Sequence, residues 1–261
     1  MQVLSLVGPG ARSLAARVAP ELDGTVATVE THDGAELGPE PAVDAAYGLG
    51  DDGGWVGSGS DRTLDELLDD LASTHDYALV AGFPEARLPT VALGDTTPEG
   101  DVVLEAADEA DLSVETVLDA VERVEPYVTL GTLVERVKAS PRAERAGAIA
   151  TFTGRVRAKD SPDDEPTTHL EFEKYEGVAE ERMRSISREL EEREGVLDVV
   201  MHHRTGYIPY GEDIVFVVVL AGHREEAFRT VEDGINRLKD EVPIFKKETT
   251  AEEEFWVHDR S

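Results

Sequence analysis

The chain has 261 residues, a formal net charge of -31 at pH 7 and no cysteine. The excess of carboxylates disfavours binding to nucleic acid and to anionic membranes, and it favours a cytosol of high salt; a chain adapted to basic partners is the alternative. Without cysteine there is no disulfide, no thiolate metal site and no thiol nucleophile. The longest apolar run, Ile214 to Ala221, is too short to cross a bilayer. We therefore expect a cytoplasmic protein with neither a metal nor a cofactor.

The charge is distributed unevenly along the chain. Residues 1–126 carry 5 basic and 27 acidic side chains, whereas residues 127–261 carry 20 basic and 29 acidic ones. A chain of this length accommodates two ordinary domains. We predict an N-terminal domain of residues 1–126 and a C-terminal domain of residues 127–261, joined near Glu125–Thr129.

In the first domain, short apolar strands alternate with helical patterns, which predicts an α/β fold with a parallel sheet. A segment with six glycines, Gly48 to Ser60, is predicted to be a loop. The predicted strands are Val3–Val7, Thr25–Val29 and Tyr77–Ala81, and the predicted helices are Ala11–Val18, Leu64–Leu71 and Val114–Val124.

The second domain has the order strand, strand, helix, strand, strand, helix after a first helix at Leu130–Val137, which predicts an α+β fold. An acidic, proline-bearing stretch, Lys159 to Thr167, is predicted to be a mobile loop. The predicted strands are Gly147–Arg157, a strand through Leu170 and Phe172, Leu197–His202 and Asp213–Leu220, with a helix through Ala179, Met183, Ile186 and Leu190.

Lysines are scarce, yet three of the six, Lys239, Lys246 and Lys247, fall within nine residues. If a helix runs from His223 to Glu241, Lys239 lies at the rim of an apolar face and Arg224 toward the middle of that face. The predicted apolar face consists of Ala227, Phe228, Val231, Ile235 and Leu238.

Because Pro243 ends this helix, the chain that follows can bring Lys246 back toward the same place. The clustered cations predict a pocket for an anion, with one lysine as general acid or base. Surface lysines that merely complement the helix dipole are the alternative.

Short motifs in the second domain occur in the order typical of one family. They are Gly147-Ala148, Phe152-Thr-Gly-Arg-Val-Arg157, Leu170-Glu-Phe-Glu-Lys-Tyr175, His203-Arg-Thr-Gly206, Gly211-Glu212, His223-Arg-Glu-Glu-Ala-Phe228, Leu238-Lys239, Pro243-Ile-Phe-Lys-Lys-Glu248 and Trp256. Over roughly Ala146 to His258, the chain resembles the large, catalytic subunit of molybdopterin synthase. One departure is Phe245, where the family often has Trp.

The resemblance implies a sulfurtransferase that converts cyclic pyranopterin monophosphate to molybdopterin. Two dithiolene sulfurs would arrive as the C-terminal thiocarboxylate of a small ubiquitin-like protein ending in Gly-Gly. The resemblance assigns catalysis to Lys239 and Lys246, one of which would also capture the carrier's acyl carbon. It assigns substrate binding to Arg157, His223, Arg224, Phe152 and Glu248. It also implies a homodimer, in which His223 and Arg224 serve the neighbouring subunit, and a heterotetramer with the carrier.

The first domain resembles the small GTP-binding adaptor of molybdenum-cofactor guanylation over Met1 to Asp95. The resemblance rests on the strand-glycine-helix start, Thr31-His-Asp-Gly34, and Asp76-Tyr-Ala-Leu-Val-Ala-Gly-Phe83. The phosphate-binding pattern G-x-x-x-x-G-K-[ST] would need Gly, Lys and Ser or Thr where Ser13, Leu14 and Ala15 stand. The candidate nucleotide contacts are therefore Gly8, Gly10, Arg12 and Ser13 in a shortened loop. The missing lysine favours a degenerate P-loop-like binding or docking domain over nucleotide hydrolysis.

Two other functions remain open at this point. A non-catalytic docking protein for ubiquitin-like carriers would retain the binding surface without the catalysis, although the intact basic set argues against it. A P-loop nucleotidase is disfavoured by Leu14.

Overall fold

The structure is a computed structural model that describes residues 1–32, 44–159, 161–175 and 177–250, and the backbone of 254–257. The chain forms two compact units, Met1–Thr129 and Leu130–Ser261. In the part of the chain described, no helix combines the length and apolar character that a membrane crossing requires.

The first unit contains a five-stranded sheet in which every pairing is parallel. Its strand order is β2-β5-β1-β6-β7, so the predicted parallel α/β sheet is confirmed. The strands of this unit are β1 (Gln2–Val7), β2 (Val26–Glu30), β3 (Ala45–Leu49), β4 (Trp55–Gly59), β5 (Tyr77–Ala81), β6 (Thr90–Leu93) and β7 (Val102–Ala106), and its helices are α1 (Ala11–Val18), α2 (Leu64–Ala72) and α3 (Val114–Arg123).

Helices cover both faces of this sheet. Leu14 of α1 and Val117 of α3 pack with Leu4 and Leu6 in one apolar cluster, and Leu68 of α2 packs with Val3 in another. Helix α2 begins with a capping box between Thr63 and Glu66, and α3 begins where the Ser113 hydroxyl accepts from the Thr116 N–H. Strands β6 and β7 were not predicted because β6 has only four residues and β7 is the partly exposed edge.

Most of the segment Gly48 to Ser60 belongs to a β-hairpin of β3 and β4, so the prediction of a loop was wrong for its strand residues. Strands β3 and β4 pair antiparallel, with Tyr47 opposite Gly57. A Cβ on Gly57 would lie 3.1 Å from the Tyr47 ring and 3.2 Å from the Trp55 ring. The two aromatic rings therefore cover a glycine that has no side chain of its own to pack, which glycine content alone does not reveal.

The second unit contains two antiparallel sheets with helices, and the predicted α+β fold is confirmed. The strand orders are β10-β12-β8 and β11-β9-β13-β14. The strands are β8 (Ala148–Arg155), β9 (Thr167–Lys174), β10 (Val196–His203), β11 (Gly206–Pro209), β12 (Asp213–Ala221), β13 (Ile244–Thr250) and β14 (Glu254–Val257), and the helices are α4 (Leu130–Lys138), α5 (Val178–Glu191) and α6 (Arg224–Glu241).

Helices α5 and α6 supply much of the core of this unit. The predicted face of α5 is confirmed, since Ala179, Met183, Ile186 and Leu190 are all buried. Helix α6 approaches closely at Gly234, where an added Cβ would lie 3.0 Å from Val217 and 3.1 Å from Met201. A glycine is used there because the helix backbone lies almost against the side chains beneath it.

The buried face of α6 differs from the prediction. Its buried residues are Ala227, Thr230, Gly234, Ile235 and Leu238. Phe228 is 63% exposed, and Arg224 is exposed as well. The prediction used apolar character alone and therefore placed Phe228 on the buried face. In the structure, the face of α6 that packs on the core includes the small residues Thr230 and Gly234 instead. Arg224 therefore does not lie in the middle of an apolar face.

Candidate functional site

Strand β13 carries the centre of the candidate site. Side chains alternate between the faces of a strand, so Lys246 and Glu248 lie on the same face. The Lys246 Nζ is 3.8 Å from the Glu248 Oε2, and the two side chains are 30% and 22% exposed. Their opposite residues on β9, Phe172 and Leu170, are buried. The lysine and the carboxylate are thus partly withdrawn from water beside an apolar layer.

A threonine that the sequence did not single out contacts this pair. The Thr167 hydroxyl donates to the Glu248 Oε1. Thr167 is buried and begins β9, whereas the sequence placed it at the end of a mobile loop. Contacts between residues 81 positions apart depend on how β9 pairs with β13, and a single sequence contains no signal for that register.

Arg157 follows β8 on a segment whose backbone is held on both sides. The Val156 N–H donates to the Glu212 carbonyl at 2.9 Å, and the Gly211 N–H donates to the Val156 carbonyl at 2.9 Å. On the other side, the Thr167 N–H donates to the Ala158 carbonyl at 2.7 Å. The Arg157 side chain is exposed on this fixed backbone, and a guanidinium is a group that suits a phosphate.

His223 and Arg224 lie at the N-terminus of α6. His223 is the N-cap residue with extended backbone, and no side chain caps the first turn. Both residues are exposed, and Arg224 has no ion-pair partner among the residues that the structure describes. The free N–H groups of a first turn attract an anion. Glu225 and Glu226 in the same turn oppose that attraction.

Lys239 lies in the last turn of α6 and is exposed. Because a helix rises about 1.5 Å per residue, the backbones of Arg224 and Lys239 are about 22 Å apart. Helix α6 therefore holds these two groups far apart within one chain. Phe152 stands on β8 opposite Val217 and packs against the core, half-buried.

The histidines at the end of β10 make local contacts. The buried His203 ring meets the Phe172 ring edge to face at 4.8 Å, and its Nδ1 is 2.7 Å from the Arg204 carbonyl. In the described ranges, no group of three or more His, Asp or Glu side chains is arranged to hold a metal ion. Asp33, Gly34 and His258 lie outside the described residues, and for Trp256 only the backbone is described.

In the first unit, the turn before α1 does not have the side chains of a phosphate-binding loop. Gly8 and Gly10 both have positive φ, of 110° and 83°, and a Cβ on Gly8 would lie 2.1 Å from the Leu93 carbonyl oxygen. The position of the usual lysine is taken by Leu14, which is fully buried. Ser13 is exposed at the surface of α1.

Two charged side chains near this turn make other contacts. The Arg12 guanidinium donates to the Thr31 carbonyl and lies 3.7 Å from Glu30. The Glu109 carboxylate packs against Gly10, since a Cβ on Gly10 would lie 2.7 Å from its Oε2. A negative charge thus occupies the neighbourhood where a phosphate would be expected. A surface cavity of about 320 Å³ between β7 and α3 contains none of the predicted site residues.

Comparisons with known proteins agree with the resemblance in the second unit. The family described as MoaE protein matches residues 126–241. A probable molybdopterin synthase of Haloferax volcanii is 64% identical over 264 aligned residues and covers 100% of both chains. The molybdopterin synthase catalytic subunit of Bacillus subtilis is 37% identical over 115 residues, which cover 44% of this chain and 72% of that protein.

Among solved structures, molybdopterin synthase from Staphylococcus aureus is 31% identical with a TM-score of 0.46, covering 52% of this chain and 94% of its own. The similarity to the Haloferax volcanii protein extends through both units. Since that relative is 64% identical along its whole length, the chain belongs to the MoaE family, the catalytic subunits of molybdopterin synthase.

Proposed function

We propose that this molybdopterin synthase catalytic subunit converts cyclic pyranopterin monophosphate to molybdopterin with sulfur from the thiocarboxylate of a small ubiquitin-like carrier. The observation that carries the proposal is the half-buried Lys246 and Glu248 pair on β13, near the fixed segment of Arg157. Each transfer forms a carbon–sulfur bond on the pterin side chain and leaves the carrier with a carboxylate. Sulfur and oxygen are exchanged, so no oxidant is needed.

The two lysines have different roles in this proposal. Lys246 is the general acid or base, because Glu248 holds its ammonium in one place beside buried apolar side chains. Lys239 attacks the acyl carbon of the carrier–sulfur–pterin thioester, which leaves the sulfur on the pterin, and water then cleaves the acyl-lysine to release the carrier as a carboxylate. An exposed side chain at a helix end can move to meet an incoming tail. A glycine-glycine terminus is narrow enough to reach it.

Arg157, His223 and Arg224 bind the phosphate of the cyclic precursor. Guanidinium groups bind phosphate through two parallel hydrogen bonds, and the uncapped first turn of α6 adds backbone N–H donors. Phe152 forms a wall beside the pterin. Glu248 supports Lys246 and does not contact the phosphate.

A homodimer completes the site. Helix α6 separates Arg224 from Lys239 by about 22 Å within one chain, so His223 and Arg224 of one subunit serve the lysines of its neighbour. Apolar side chains are available on the second unit for such an interface, since Phe228 is 63% and Ile149 is 38% exposed. With two carriers bound, the assembly is a heterotetramer in the cytoplasm.

The domain of residues 1–126 is a docking domain without nucleotide hydrolysis, attached to a catalytic domain of residues 127–261. The buried Leu14 and the Glu109 carboxylate against Gly10 both support this, because each removes a feature that phosphate binding needs. In this proposal the turn before α1 is formed by Gly8 and Gly10, and the exposed side chains of Arg12 and Ser13 face solvent there.

The test is reconstitution with the full-length chain. Purified protein is mixed with thiocarboxylated carrier and cyclic precursor, and dithiolene product is measured by fluorescence after oxidation. We expect product in proportion to thiocarboxylate, at two carriers consumed per molybdopterin. Carrier binding without product would instead support the non-catalytic docking protein and would overturn the assignment of Lys246 and Lys239.

A further inference from the structure

Thr167 contacts two parts of the proposed site at once. It is 7% exposed at the start of β9. Its hydroxyl donates to the Glu248 Oε1, and its backbone N–H donates to the Ala158 carbonyl at 2.7 Å. One buried residue therefore touches both the carboxylate beside Lys246 and the segment that carries Arg157.

The carboxylate of Glu248 divides its two oxygens between two partners. Oε1 accepts from Thr167 and Oε2 faces the Lys246 ammonium at 3.8 Å. A glutamate side chain has several rotatable bonds, so its end is not fixed by the backbone alone. Because the carboxylate is one rigid group, the hydrogen bond to Oε1 also sets where Oε2 lies. The hydroxyl of Thr167 thus fixes the group that orients the lysine.

The neighbouring threonine shows that this contact is specific to one face of the strand. Thr168 is exposed, and its hydroxyl donates to the Thr249 carbonyl at 3.0 Å. That bond adds to the pairing of β9 with β13 and does not involve the Glu248 carboxylate. The two adjacent hydroxyls therefore offer a matched comparison between positioning and strand pairing.

We propose that Thr167 is a positioning residue for sulfur transfer: its hydroxyl holds Glu248 so that Glu248 holds Lys246 at the reacting atoms. The inference rests on the roles of Lys246 and Glu248 given under the proposed function. Thr167 acts through Glu248 and touches no substrate. Loss of the Thr167 hydroxyl lowers kcat, because a catalytic group held in the reacting orientation lowers the activation free energy more than a mobile one does. The KM for the cyclic precursor stays near its normal value, since the phosphate contacts are unchanged.

The experiment compares three variants of the full-length chain in the reconstituted reaction. Thr167→Val keeps the shape and removes the hydroxyl, Thr167→Ser keeps the hydroxyl, and Thr168→Val removes the neighbouring hydroxyl. We expect Thr167→Val to lower kcat about 10-fold with KM changed less than about twofold. We expect Thr167→Ser and Thr168→Val to stay within about twofold of the unchanged protein.

A double-variant cycle shows whether the effect passes through Glu248. In a Glu248→Ala background, Thr167→Val should lower kcat by less than about twofold further. An undiminished 10-fold effect there would overturn the inference, as would a Thr167→Val enzyme with normal kcat. Equal losses in the Thr167→Val and Thr167→Ser enzymes, accompanied by a lower urea midpoint, would show a structural role only and would also overturn it.

Lys246→Ala in the same assay separates two kinds of failure. If Lys246→Ala abolishes product while Thr167→Val is normal, the proposed function stands and only the role of Thr167 is wrong. If Lys246→Ala retains the full rate, the proposed role of Lys246 fails, and the role of Thr167 fails with it.

Discussion

Lys246 and Lys247 are neighbours in the chain and lie on opposite faces of one sheet. Lys246 is opposite Phe172 and 3.8 Å from Glu248, whereas Lys247 is opposite Glu171 and 3.3 Å from its carboxylate. The alternation of a strand separates the two charges. Two residues of the same type, one position apart, thus have different surroundings.

This separation predicts different effects for the two alanine substitutions. Lys246→Ala should lower kcat at least about 100-fold, the size of a lost general acid or base. Lys247→Ala removes a partly exposed ion pair and should lower kcat less than about twofold. Single-turnover measurements of dithiolene product check both. Equal losses in the two variants would mean that total positive charge on β13, and not one positioned lysine, supports the reaction.

The length of α6 predicts that the site is shared between subunits. Arg224→Ala and Lys239→Ala should each inactivate a homodimer, because every site then lacks one group. In a mixed dimer, one site receives Lys239 from one chain and Arg224 from the other, and it is intact. Random mixing of the two inactive proteins should therefore restore about one quarter of the normal activity. If mixing restores no activity, Arg224 and Lys239 serve the same chain's site or no common site.

The sequence predicted the elements of the second unit better than their contacts. Helix α6 was predicted over His223–Glu241 and observed over Arg224–Glu241, because Pro243 and the strand before it are local signals. The burial of Phe228 was predicted wrongly, since the packing partners of α6 include β8 and α5, which are distant in sequence. The contact between Thr167 and Glu248 could not be predicted for the same reason. Motif order assigns the site residues, and that assignment stays a prediction.

The close approach of α6 to the sheet predicts a strong effect at Gly234. A Cβ added at Gly234 would lie 3.0 Å from the Val217 side chain, so Gly234→Leu should destabilise the second unit by about 1–3 kcal/mol through overpacking. Asn236→Leu places the same side chain on the exposed face of α6 and should change stability by less than about 0.5 kcal/mol. Urea unfolding followed by circular dichroism measures both. Similar destabilisation by the two leucines would contradict close packing at Gly234.

The pairing of α5 with α6 predicts how stability depends on pH. Hydrogen bonding from Arg237 lowers the pKa of the Glu241 carboxyl, opposed by desolvation and assisted by the charges of Arg237 and Arg182. A carboxyl group whose pKa is lower in the folded state stabilises the fold at pH values above its unfolded pKa of about 4.3. This contribution disappears as the pH falls through the pKa of the folded state. Glu241→Gln should therefore lower Tm at pH 7, with a difference from the unchanged protein that closes below about pH 4.

The Arg237–Glu241 ion pair is partly exposed, so the effect of Glu241→Gln on Tm at pH 7 should also shrink when the salt concentration is raised. Asp119→Asn removes the exposed Arg123–Asp119 pair of α3 and should leave Tm almost unchanged at either pH. A difference for Glu241→Gln that persists undiminished at low pH would show that it comes from packing and not from charge.

The contact between Glu109 and Gly10 predicts that the first unit does not bind GTP. The Glu109 Oε2 is buried and has no hydrogen-bond partner among the described residues. The position of the usual lysine is taken by Leu14, an apolar and fully buried side chain without an ammonium group. A phosphate at this turn would meet a carboxylate instead of a lysine. Titration of the full-length chain with a fluorescent GTP analogue should give no saturable signal up to about 1 mM, a concentration at which even weak specific sites fill.

Glu109→Ala removes the repulsion but adds no lysine, so any binding it gains should be weak and lost in high salt. Saturable binding to the unchanged protein, abolished by Arg12→Ala, would instead show that the shortened turn holds a nucleotide.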